Sequence, residues 1–72
     1  MKNKFSNTPN SRLITLINEW VKNDRNRRLM KRRLIDGYTL EKLAEEFDIS
    51  ITRTRQIISE SEKLLEIAIK KT

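Results

Sequence analysis

A single glycine, Gly37, and a single proline, Pro9, punctuate the whole 72-residue chain. Sheets of short strands need many turn residues with special backbone angles, and this chain does not carry them. Helices are what remain. One domain is all that such a length allows, and it buries only about 60% of the surface its unfolded chain exposes, so the core has to be economical. Hydrophobic and charged residues each make up 36%, enough for one helical core with little to spare. The predicted fold class is all-α: a small bundle of about four helices.

The absence of Cys and His removes disulfide scaffolds, thiol nucleophiles, most zinc sites and the usual general base. With no Gly-rich loop and no paired-carboxylate pattern either, an enzyme is the weakest of the function classes, and no cofactor or metal is implied. No apolar run approaches the roughly 18 residues of a membrane span. Residues 1–10 are polar and lack the apolar stretch of a signal peptide, so the cytosol is the expected compartment and a membrane partner is not.

Net charge is +6 and its distribution is uneven. From Lys22 to Arg33 seven cations face Asp24 alone, whereas from Asp36 to Asp48 five acids face only Lys42. A basic segment of that kind favours a polyanionic partner.

Residues 1–8 show no helical pattern and read as a flexible arm, with Phe5 free to tuck onto a single domain spanning 9–72. Thr8-Pro9 suits a cap followed by proline in the first turn, and Leu13, Ile14, Leu16, Ile17, Trp20 and Val21 recur at helical steps to about Lys22. Asn23-Asp24 can cap a second helix, 24–36, with Leu29, Met30 and Leu34 opposite a face of arginines, closed at Asp36-Gly37. Thr39 caps a third, 39–47, with Glu41 well placed in its first turn. Ser50 caps the last, 50–70, which meets no breaker. Leu43, Phe47, Ile49 and Ile57 are expected to converge with Trp20 and Leu34 on one core.

Residues 39–58 carry what a helix-turn-helix requires: a cap (Thr39), a small residue where the helices touch (Ala44), a turn residue tolerant of left-handed angles (Asp48), a turn anchor (Ile49), a second cap (Ser50) and an anchor on the second helix (Ile57). Any three-helix bundle has caps and periodic apolar positions. What distinguishes this one is the outward face of the last helix. Thr52, Arg53, Arg55, Gln56 and Ser59 are of the types that hydrogen-bond base edges and phosphates, where an ordinary solvated face is richer in Glu and Lys.

The strings Tyr38-Thr39-Leu40-Glu41, Phe47-Asp48-Ile49-Ser50 and Arg53-Thr54-Arg55-Gln56-Ile57 resemble region four, the C-terminal promoter-reading domain of bacterial primary sigma factors. The likeness extends over Arg25 to Leu65. It implies a recognition helix in the major groove of double-stranded DNA, with Arg55 and Gln56 in base-reading positions and Thr39 and Arg53 near the backbone. The chain departs from the pattern at Ile51-Thr52, where the family usually carries an Arg-Glu pair at base-contacting positions. It departs again at Thr54, which stands for a buried Val or Ile, and at Ile58, which stands for an acid. The site read should therefore differ from the usual promoter element. Without the regions that precede region four, the chain is expected to resemble the small stand-alone regulators of phages and mobile elements.

On a helix capped by Ser50, positions 52, 55, 56 and 59 share one face, so Thr52, Arg55, Gln56 and Ser59 are the candidate base readers. Arg25, Arg28, Lys31, Arg32, Thr39, Ser50 and Arg53 are the candidate phosphate contacts. A competing function is a protein-interaction adaptor or anti-activator that keeps the fold without reading DNA; Ile51-Thr52 and the acidic third helix favour it, and RNA polymerase is its candidate partner. Leu64, Leu65, Ile67, Ala68 and Ile69 carry more apolar surface than a solitary helix end leaves in water, so the tail either folds back on the first helix or pairs in a homodimer.

Overall fold

The computed structural model of the chain describes Phe5 and residues 7–71. Four helices follow in order: α1, Asn10–Trp20; α2, Asp24–Leu34; α3, Leu40–Phe47; and α4, Ile51–Lys71. No strand occurs among the described residues. The all-α expectation stands, with each helix end within two residues of its expected position. Of the arm expected over 1–8, residues 1–4 and 6 lie outside the described residues, and Phe5 is 3% exposed within the core.

Local chemistry explains most of the ends. Asn23 Oδ1 accepts the backbone N–H groups of Arg25 (2.8 Å) and Asn26 (3.2 Å), and so satisfies two donors that the first turn of α2 leaves open. Gly37, at φ +75°, closes the other end, where the Lys31 carbonyl accepts from Ile35 and Asp36 and the Arg32 carbonyl from Tyr38. The Thr8 cap does not form. Thr8 is drawn into a turn whose N–H donates to the Phe5 carbonyl, and Pro9, with an extended ψ of 149°, takes the cap position with no side-chain bond. Val21 leaves α1 in an extended conformation that turns its side chain inward, which ends the helix two residues early.

α4 is the spine. Its 21 residues span roughly 30 Å at 1.5 Å each, close to the 34 Å long dimension of the molecule, and it packs against all three other helices. The tail folds back within the chain: Leu65 and Ala68 are fully buried and α1 packs on α4, while Leu64 and Ile67 remain exposed. Ile58, the apolar departure at an acidic position, is buried in the same core.

The centre is built differently from the expected cluster. Leu13, Ile17, Leu29, Met30, Leu43, Ile57 and Leu65 are at most 2% exposed, with Leu34 beside them, whereas Trp20, Phe47 and Ile49 are only partly buried and pack on the rim. The reason is topological. α3 packs on α4 and α2 and not on α1, so Phe47, on the last turn of the short α3, is covered only in part. Leu43→Ala should therefore cost about 2–5 kcal/mol and Leu64→Ala under about 1 kcal/mol in urea unfolding followed by circular dichroism. Equal losses from the two would contradict this packing.

Candidate nucleic-acid interface

The interface begins at the turn between α3 and α4. Thr39 caps α3, accepting the Lys42 N–H at 3.2 Å. Ala44, 8% exposed, is the small residue that lets α4 approach. Asp48 adopts φ 54°, ψ 49°, the one left-handed non-glycine among the described residues, and its N–H reaches the Ala44 and Glu45 carbonyls as α3 ends. The next N–H, from Ile49, donates to the Ala44 carbonyl at 3.0 Å. Ser50 then caps α4: its Oγ accepts the Arg53 N–H at 3.0 Å.

On the inward side of α4, Thr54 is fully buried and its hydroxyl donates to the Ser50 carbonyl at 2.9 Å. The hydroxyl that replaces a methyl there is therefore satisfied, and the departure from the family pattern leaves no orphaned polar group. With Thr54, Ile57, Ile58 and Ser61 facing inward, Thr52, Arg55, Gln56 and Ser59 are all exposed on the opposite side. The face predicted from the cap position is thus one contiguous surface. Lys63, one turn beyond Ser59 and exposed, extends it, a continuation of the same three- and four-residue steps that sequence reasoning left out. Arg53 lies at the edge, where its guanidinium donates to Gln56 Oε1 at 3.4 Å.

The basic segment divides into two groups. Arg27 is tied to Asp24 (2.7 Å) and the Val21 carbonyl, Arg33 donates to the Tyr38 carbonyl at 2.7 Å, and Arg32 meets Asp36 (3.4 Å) and Glu46 (3.2 Å). Glu46 first, then Asp36, raise the Arg32 pKa above the ordinary guanidinium value, and its charge is largely answered inside the molecule. Tyr38 lies between two cations, 4.7 Å from Lys42 Nζ and 5.5 Å from Arg32 Cζ. Arg25, Arg28 and Lys31, by contrast, form no ion pair among the described residues, and Arg55 forms none either. Among the described residues no group of His, Cys, Asp or Glu is placed to hold a metal ion, and no helix is long and apolar enough to cross a membrane.

Two helices joined at a left-handed turn, with a polar, partly cationic face on the second, define a helix-turn-helix. The family model of sigma-70, region 4 matches residues 23–64, more than half of the chain. The chain belongs to that family, whose fold is a DNA-binding helix-turn-helix. No curated protein and no solved structure matches it. The match opens at the Asn23 cap and closes within α4, so α1, which packs on α4, and the last turns of α4 lie outside it.

The turn offers a direct check. Asp48→Gly should raise stability by up to about 1 kcal/mol, because glycine enters left-handed angles without the steric cost that a side chain meets there. Ser50→Ala should lower it by about 1 kcal/mol through loss of the cap. Both are read by chemical denaturation, and a destabilised Asp48→Gly would mean that the Asp48 side chain itself holds the turn.

Proposed function

We propose that the chain is a sequence-specific DNA-binding regulator of transcription that inserts the first turns of α4 into the major groove. Thr52, Arg55, Gln56 and Ser59 read base edges: Arg55 has the fork that pairs with the two acceptors of guanine, and Gln56 the amide that pairs with adenine. Arg25, Arg28, Lys31 and Arg53 hold phosphates, with the Thr39 and Ser50 hydroxyls, whose oxygens already accept backbone bonds, donating their hydrogens outward. The observation that carries the reading is Arg55, without an ion pair, on a helix face with no carboxylate between Ile51 and Ser59, with Arg25 and Arg28 likewise unpaired on α2. Arg32 is left out of the phosphate set, because its two carboxylate partners cancel the charge that a phosphate would seek. Such a protein works where DNA is, in the cytoplasm of a bacterial cell.

RNA polymerase is the second partner in this proposal, through the opposite charge. Glu41 and Glu45 are exposed on α3 and, beyond the Thr39 cap, line a shallow concavity that suits a basic protein surface.

Arg55→Ala should weaken a preferred duplex by about 1–3 kcal/mol and random duplex much less, in fluorescence anisotropy titrations. Arg28→Ala should weaken all sequences alike and lower the salt slope by about one unit, whereas Arg32→Ala should change that slope much less. If Arg55→Ala binds every duplex as the parent does while Glu45→Lys abolishes a polymerase complex, the adaptor reading replaces this one.

A further inference from the structure

Ile51 is the first residue of α4 and is 42% exposed. An isoleucine on the surface is ordinary by itself. Its surroundings here are not. The entry of α4 is already anchored by Ile49, which is partly buried against the core, and capped by Ser50, so Ile51 is not needed to hold the helix end. By angle it borders the inward face, about 20° from the buried Ile58 two turns on, yet at the helix start it is left exposed, and the first buried member of that face is Thr54. At about 100° per residue Ile51 stands roughly 40° from Arg55 and one turn before it, on the margin of the reading face. Side chains on a helix tilt toward its N-terminus, so that of Ile51 leads the end of the helix that enters a groove. Thr52, also exposed, brings a second methyl alongside.

We infer that Ile51, with the Thr52 methyl, forms an apolar contact for the C5-methyl group of thymine in the major groove, which makes the protein select T·A at the base pair next to the one Arg55 reads. The inference rests on the DNA-reading proposal above and adds a chemical specificity to it. The physical ground is the groove's own pattern: thymine carries the one apolar group among the four major-groove base edges, and an aliphatic side chain has nothing else there to bind. Opposite any other base, Ile51 would cover polar edges that it cannot satisfy.

The experiment starts from a random duplex pool enriched on the full chain, followed by binding titrations of the enriched duplex with single thymines replaced by deoxyuridine, which removes the methyl and keeps every hydrogen-bonding group. One such replacement, next to the Arg55-dependent base pair, should weaken the parent about fourfold, the size expected for one buried methyl. Ile51→Ala should lose most of the difference between the thymine and uracil duplexes, keeping at most the share of the Thr52 methyl; the position is exposed and alanine is a better helix former, so this variant stays folded. Replacing that T·A pair by C·G should weaken the parent, and 5-methylcytosine, which puts a methyl at the same place in the groove, should recover part of the loss. A pool that yields no enriched sequence overturns the DNA-reading proposal and this inference with it. An enriched duplex whose binding ignores the methyl, or an Ile51→Ala variant that senses it as strongly as the parent, overturns this inference alone.

Discussion

Three residues separate the end of α3 from the start of α4, and the direction in which 21 further residues leave depends on the backbone of Asp48. Its left-handed conformation is closed by bonds to the carbonyls of the last turn of α3, so the cost of the angle is met by backbone groups that would otherwise lack partners. Everything downstream follows from that corner. Ala44 is small enough for α4 to cross closely, Thr54 reaches back to the Ser50 carbonyl, and Ile57 arrives at the centre of the core beside the fully buried Leu43.

One helix then serves two ends of the molecule. The first turns of α4 carry the polar face and the last turns carry Leu65 and Ala68, which close the core together with α1 and Phe5. The two halves are mechanically one rod, so the position of the polar face is fixed by packing some 20 Å away as well as by the turn. That coupling gives α1, outside the family match, a role in placing a surface it does not touch: it helps to hold the far end of the helix that bears Arg55.

Charge is partitioned by the fold more finely than by the chain. The basic and acidic segments read as opposites in sequence, yet part of each is spent on the other. Arg32 and Glu46 join α2 to α3, with Tyr38 between the Arg32 and Lys42 cations. These exposed pairs add little stability individually. Their larger effect is to decide which cations remain available: Arg25, Arg28 and Lys31 keep an unanswered charge, Arg27 and Arg32 meet carboxylates, and Arg33 meets none but has its side chain held by the Tyr38 carbonyl.

The sequence by itself determined the helices, their caps at Asn23, Thr39 and Ser50, the turn at Asp48 and the composition of the face at 52, 55, 56 and 59. Each of these depends on residues within about four positions of one another, the range over which a helix closes its hydrogen bonds and repeats its faces. The tertiary structure decided the rest. Phe47 sits at the rim because α1 never reaches α3, Phe5 is core although it stands alone in a polar segment, and the apolar tail is divided into a buried Leu65 and an exposed Leu64 by the approach of α1. Arg32 is paired with Glu46, 14 residues away. Such outcomes turn on which distant elements meet, and no local spacing records that, because the free energy of a side chain depends on the neighbours that folding brings to it.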